Sequence, residues 1–460
     1  MKLTHTQKLA AVLTVLALVL AVTAAVVAFA GGSMRAKPLF TGSERLAGPE
    51  IPKLVFEGSP TEEEDAELSE IYNLRGKFPE YSRALMPFYE SSIRQVLSAH
   101  DSGNQVYSPL NLYMALSMAA EITDGSTRGQ ILGLLGAPDI DALREQSRDI
   151  WLVSSLSVYG SETYLNNSIW LNNEIDYKAE TLDVLADEHF AESFRGEPGT
   201  EEYNRLLRDW TNEKTKGLLE DSVNGLGMDD DMLMTLMSTV YFKAAWFSPF
   251  AESLTAPDTF HAPDGDVSCD FMHKSWTGSL YRGKHFRATD AYFQGGGNMT
   301  FILPDEDSGI DQLLEEGSDF WDFLGWLVES RADDEIPMWK NHSRAIINMS
   351  MPKFDVSSDN ELTEPLQALG LTEMFDYNVS NFEPLMHNDI PAYISEVNHA
   401  ARVMVDEEGC TAASYVQMDA EAGAAAPPAK EVDFILDRPF IFIIQTGDGM
   451  PLFAGVVNHP

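Results

Sequence analysis

From Cys410 to Gly423 the chain alternates its side chains with a period of two. Cys410, Ala412, Ser414, Val416, Met418, Ala420 and Ala422 are small or apolar, and four of the residues between them, Tyr415, Gln417, Asp419 and Glu421, carry polar groups. That period marks a strand with one buried face. The segment nevertheless runs into Gly423-Ala424-Ala425-Ala426-Pro427-Pro428, a loop composition of the kind proteases cut. A stretch written both as buried strand and as exposed loop points to a fold with two states, switched by whatever cuts it.

The rest of the chain can supply a core for that strand. At 460 residues with 44% apolar content it has the composition of a globular protein. Lys and Arg number 31 against 72 Asp and Glu, a formal net charge of −41. Such a polyanion repels nucleic acid and anionic lipid; it keeps a secreted protein soluble, with steering toward basic partners as a second role. Cys269 and Cys410 make neither a disulfide framework nor a metal cluster, and both are expected as free thiols acting as small hydrophobes. His387 and His399 lack metal-ligand spacing, and Gly295-Gly296-Gly297 lacks the context of a phosphate loop, so no metal or cofactor is expected.

Lys2 and Lys8 precede an uncharged run from Leu9 to Ala30, and Ala28-Phe29-Ala30 fits a signal-peptidase site. The run has 22 residues, enough to span a bilayer, so residues 1–30 are a cleaved signal peptide or a retained membrane anchor, and the rest is exported to the cell surface or beyond. Residues 31–75, with prolines at 38, 49, 52 and 60 and the acidic run Glu62 to Asp65, are expected to be a tether. Residues 76–460 show no second linker and no repeat, and are expected to form one large domain.

Within that domain helical signals come first: an apolar run from Pro109 to Met118, a helix capped by Asp124 to Thr127, and an amphipathic helix from Tyr177 to Ala191. Strands follow at Leu233 to Phe247, Asn298 to Leu303, Ala345 to Met351, Ala392 to Val405, Val432 to Ile444 and Leu452 to Val457. Helices first and strands later argue for an α+β fold. Phe440 to Ile444 is apolar on both faces and belongs at the centre of a covered sheet.

Several segments, taken in order, resemble the serpins. They are Val106 to Leu116, Gly125 to Ile131, Val240 to Trp246, Met351-Pro352-Lys353-Phe354, Glu407-Glu408-Gly409, Asp437 to Phe442 and Leu452-Phe453-Ala454-Gly455. The resemblance covers roughly 77 to 460. It implies helices packed on a large mixed sheet with smaller sheets and an exposed reactive loop, here about 409 to 432. It also implies an inhibitor rather than an enzyme. A serine protease attacks the loop, forms an acyl-enzyme, and is trapped when the cut segment inserts into the central sheet. The fourteen residues from Cys410 to Gly423 would span roughly 46 Å, enough to cross a large sheet. About a dozen new ladder hydrogen bonds, at roughly 0.5 to 1.5 kcal/mol each, would drive insertion by a total on the order of 10 kcal/mol.

The resemblance also assigns roles. Glu407, Gly409, Cys410, Ala412, Ala413 and Ser414 would form the hinge, with Cys410 where the family usually has Thr and Tyr415 where it usually has a small residue. Lys353 and Trp246 would form a latch with Glu407, a surface ion pair contributing under about 1 kcal/mol. Ser108, Asn111, Ser238 and His399 would form a gate beneath, looser than usual because Ser238 stands where serpins carry Asn. The scissile bond falls near Gly423–Ala424, within a window from Glu421 through Ala422 to Ala425. Those tiny residues suit serine proteases with a shallow primary pocket, elastase-like or subtilisin-like, bound by a monomer. The alternative is a non-inhibitory serpin acting as a surface binding or storage protein; the alternating hinge favours the inhibitor.

Overall fold

The computed structural model describes residues 43–52, 54–56, 61–99, 102–158, 161–220, 222–333, 335–387, 391–410 and 430–460. The proposed signal or anchor lies outside these residues, as do Ala412, Ala413 and Ser414 of the hinge and the whole scissile window. Among the described residues no helix is long and apolar enough to cross a membrane.

The first strands are β1 (Glu44–Ala47), β2 (Val55–Phe56), β3 (Gln105–Tyr107), β4 (Ser157–Val158), β5 (Ser161–Asn172), β6 (Ala191–Gly196) and β7 (Met234–Ala245). Then come β8 (Ala256–Ala262), β9 (Gly265–Arg282), β10 (Phe286–Tyr292), β11 (Asn298–Pro304), β12 (His342–Pro352) and β13 (Phe354–Glu361). The last are β14 (Asn398–Val405), β15 (Gly409–Cys410), β16 (Lys430–Ile435), β17 (Phe440–Gln445) and β18 (Pro451–Val457). They build a seven-stranded sheet in the order β1-β6-β5-β7-β15-β14-β13 and a nine-stranded sheet through β16-β12-β9-β10-β11-β17-β18-β3. With the helices between them this is the expected α+β architecture.

Composition explains where each part sits. Strands β11, β17 and β18 are buried at every position, as sequences apolar on both faces require. Helix Pro109–Ile122 is apolar almost all round and is buried along nearly its whole length, so it runs through the core. Its Ser108 is the N-cap, the Oγ accepting the Asn111 amide at 3.2 Å. The run expected as one strand from Val432 to Ile444 is broken into β16 and β17 at Asp437-Arg438-Pro439, where proline denies the ladder a donor. Neither Cys269 nor Cys410 is in a disulfide, and Cys410 is buried.

The segment expected to be a tether is partly built into the fold. Strand β1 adds to the edge of the seven-stranded sheet antiparallel to β6, tied by Arg45 to Glu192 at 2.7 Å and Arg195 to Glu44 at 2.9 Å. Helix Glu62–Leu74 buries Leu68 and Ile71, three residues apart, against the main core beside helix Ile140–Ser154. Two apolar residues at helical spacing are enough to dock an otherwise acidic helix.

Candidate functional site

The site begins where β14 ends. Asp406 makes the turn: its Oδ1 accepts the Glu408 and Gly409 amides at 2.9 and 3.1 Å, an Asx turn that sends the chain back along the sheet. Strand β15 then enters between two strands. Gly409 and Cys410 pair antiparallel with Ala245 and Ala244 of β7, and Cys410 pairs antiparallel with Val405 of β14. Among the described residues no ladder joins β7 directly to β14. Gly409 has no room for a side chain, since a Cβ there would lie 2.2 Å from the Ala244 carbonyl oxygen.

Around this entry the three residues expected as the latch lie together. Lys353 Nζ lies 2.8 Å from Glu407 Oε2, and Thr255 donates to the other carboxylate oxygen at 2.7 Å. Burial pushes the Glu407 pKa up, but the Lys353 and Thr255 hydrogen bonds outweigh it and hold the carboxyl below its ordinary value. The same hydrogen bond raises Lys353. Glu407 is buried, so the pair is not the surface pair expected; its acidic end is desolvated while its basic end reaches solvent. Trp246 is buried beside it, stacked on Phe293 with centroids 4.9 Å apart. Its Nε1 donates to the Asp406 carbonyl at 2.9 Å and its amide to the Glu408 carbonyl at 2.8 Å. The turn into β15 is therefore held from both sides.

Of the four gate residues, three meet. The Ser108 amide donates to His399 Nε2 at 3.2 Å, and the Ser108 hydroxyl caps Asn111. The neutral His399 ring therefore carries its proton on Nδ1, which is buried and has no hydrogen-bond partner among the described residues. Burial lowers its pKa to about 4, against which the hydrogen bonds act weakly. Tyr107 packs its ring 5.3 Å from the imidazole. Ser238 stands apart: it lies on β7 opposite Asn167 of β5, and among the described residues no hydrogen bond links it to the other three.

A strap following helix Glu201–Lys214 joins β5 and β7 to β14. After helix Glu201–Lys214 the Lys216 Nζ sits 4.4 and 4.9 Å from the Tyr164 and Tyr241 rings and 2.5 Å from Glu162 Oε2, which ties the strap to β5 and β7. Two residues on, the Leu218 carbonyl accepts from Arg402 Nη1 of β14 at 3.3 Å, and Arg402 pairs with Asp355 of β13 at 2.6 Å. Sequence reasoning missed the strap, as it missed Thr255 and Phe293, which carry no local signal. Asp406 was recoverable: an Asp three residues before Gly is an Asx-turn pattern.

The two ends of the segment expected as the reactive loop lie on different sheets, Cys410 on the seven-stranded one and Lys430 on the nine-stranded one, where β16 runs parallel to β12. The family profile described as Serpin (serine protease inhibitor) matches residues 87–460. Serpin-Z1C of Triticum aestivum is 28% identical over 375 residues, covering 78% of this chain and 90% of its own length. An uncharacterized serpin-like protein of Thermococcus kodakarensis is 28% identical over 372 residues, covering 79% and 82%. Among solved structures, the thermophilic serpin tengpin in its native state superposes with a TM-score of 0.71 at 23% identity, over 91% of this chain and all of its own. Human kallistatin does so with a TM-score of 0.68 at 22% identity, over 82% of this chain and 98% of its own. With its profile match, relatives and fold in agreement, the chain belongs to the serpin family, a family of serine protease inhibitors by description and not of enzymes.

Proposed function

We propose that this chain is a suicide-substrate inhibitor of serine proteases that accept tiny residues at the cut, elastase-like or subtilisin-like. The observation that carries this reading is β15, which stands as a short strand between β7 and β14 and antiparallel to both. It is the start of a strand whose alternating continuation is written in the sequence. A protease serine would attack the Gly423 carbonyl, the Ala424 amine would leave, and the acyl-enzyme would remain tethered to the segment that inserts. Dragging the enzyme along the sheet distorts its oxyanion hole before water deacylates it.

The register of β15 supports the idea quantitatively. Continued residue by residue, it would seat Ala412 between Phe242 and Val403, and Ser414 between Val240 and Ala401, all four of them buried core residues. Val416 would arrive between Ser238 and His399, at the gate. The other face would carry Ala413 beside Tyr241 and Tyr415 beside Thr239, under helix Glu201–Lys214 and its strap. Small and apolar residues thus fall on the core face throughout. The same reading makes the chain an exported monomer, with Leu9 to Ala30 as signal or anchor.

The test mixes the intact chain with an elastase and resolves the products on a denaturing gel. A covalent complex that survives denaturation is expected. Cleavage in the window Glu421 to Ala425 without such a complex, the behaviour of a non-inhibitory serpin, would overturn the proposal.

A further inference from the structure

In a chain with 31 basic residues against 72 acidic ones, a guanidinium without a carboxylate partner is out of place. Three arginines nevertheless converge on one cleft of about 420 Å³, lined by Arg282, Arg287 and Arg438 together with Asp305, Glu306 and Asp307. The cleft lies behind β16, the strand that anchors the far end of the reactive loop.

The Arg287 guanidinium is fixed by a ring and a backbone carbonyl, and the Arg438 guanidinium by a backbone carbonyl and one carboxylate. Arg287 of β10 places its guanidinium 5.1 Å from the Phe434 ring and donates from Nη1 to the Asp433 carbonyl at 2.9 Å. Among the described residues no carboxylate pairs with it. Arg438 donates from Nη2 to the Pro304 carbonyl at 2.8 Å and from Nη1 to Asp437 at 2.9 Å, and its buried Nε has no partner among the described residues. Arg282 reaches Asp305 only at 3.7 Å. Burial depresses the Arg287 pKa first, and the Arg438 and Arg282 charges depress it further, while Asp305 and Asp437 offset this only in part. The cleft gathers three guanidiniums beside three carboxylates, and among the described residues Arg287 is the guanidinium of the three that no carboxylate pairs with.

We propose that this cleft binds a compact oxyanion of the phosphate or sulfate class, held by Arg287, Arg438 and Arg282. Planar guanidinium forks match such oxygens in pairs, and the Phe434 ring and backbone carbonyls hold the Arg287 and Arg438 forks in place beforehand. Glu306 and Asp307 are exposed and, with the net charge of −41, repel an extended polyanion, so the ligand is small. Because Arg287 grips the Asp433 carbonyl of β16, an occupied cleft also braces the far root of the loop. The proposal is independent of the inhibitory reading and does not need the loop to insert.

The test is equilibrium dialysis of the intact chain against inorganic phosphate and, in a separate arm, inorganic sulfate, with sodium chloride holding ionic strength constant. One saturable site per chain is expected for at least one anion, and the arm that saturates at the lower concentration identifies the preferred class. Arg287→Gln is expected to weaken that binding by about tenfold or more, whereas Arg83→Gln, on an exposed helical face, leaves it unchanged. Should Arg287→Gln fail to fold, Arg282→Gln serves instead, because that side chain is half exposed and is expected to weaken binding several-fold without disturbing packing. Binding of neither anion above the chloride control, or binding indifferent to the cleft variants, would overturn the proposal.

Discussion

Lys353 Nζ and Glu407 Oε2 meet at 2.8 Å above the entry to the seven-stranded sheet, and the carboxylate is the buried end of the pair, its side chain 10% exposed against 40% for the lysine. Removing the lysine therefore strands a buried charge. Lys353→Ala leaves Glu407 with Thr255 as its one remaining side-chain donor, and a loss of about 1–3 kcal/mol is expected. Glu407→Gln should cost less, because an amide oxygen still accepts from Thr255. The pH window follows from the signs. Glu407 is depressed, so its contribution is complete above its ordinary value of 4.5 and fades as pH falls below it. Lys353 is raised, so its contribution is complete below 10.5 and fades as pH climbs beyond. Urea midpoints of wild type and Lys353→Ala should differ between these limits and converge outside them.

His399 gives a second pH signature at a different place on the scale. Its pKa falls from 6.5 to about 4 on burial, so the unfolded chain binds a proton that the folded gate refuses. Stability is then complete above 6.5 and declines as pH falls toward 4, with a slope of up to roughly 1.4 kcal/mol per pH unit. His399→Asn should flatten the urea-midpoint profile between those limits. A variant that keeps the wild-type slope would place the acid sensitivity elsewhere.

Much of this could be read from the sequence, for reasons visible residue by residue. Strands β7, β11 and β18 are apolar enough that their limits were placed within two residues. The residues expected as the latch, and three of those expected as the gate, lie together, and ordered motifs mark each of them. Strand β5 was missed because its Asn and Ser positions weaken the apolar signal, although its burial alternates over the first half. Strand β9 was missed because its first residues are exposed on both faces and its later ones mix polar with apolar side chains without a clear alternation. Neither the burial of Glu407 nor the separation of Ser238 from His399 has a local signature. Both depend on contacts between segments far apart in the chain, which only the assembled fold determines.

Gly409 offers a geometric test of the entry itself. A Cβ there would meet the Ala244 carbonyl oxygen at 2.2 Å and the Ala245 Cα at 2.8 Å. Strand β7 cannot yield easily, because its other edge is paired with β5 along its length. Gly409→Ala should therefore expel β15 from the sheet at a cost of about 1–3 kcal/mol. In a protease titration the ratio of cleaved to complexed inhibitor should rise. Unchanged stoichiometry together with an unchanged melting temperature would contradict the close approach.

Cys410 separates insertion from every other part of the mechanism. It is 3% exposed, and its backbone pairs with Ala244 on one side and Val405 on the other, so its side chain enters the core between two apolar strands. A long cation cannot follow it without leaving a charge in an apolar site. Cys410→Arg should leave the scissile segment as cleavable as before and yet lose the covalent complex at least about tenfold, since every kcal/mol of insertion energy lost slows trapping against deacylation. Cys410→Thr, similar in volume and able to donate its hydroxyl to a neighbouring carbonyl, should retain the complex. The measurement is the fraction of elastase trapped at equal cleavage, read on a denaturing gel for the three proteins. Equal trapping by the arginine variant would mean that the strand beginning at Cys410 does not have to enter the sheet.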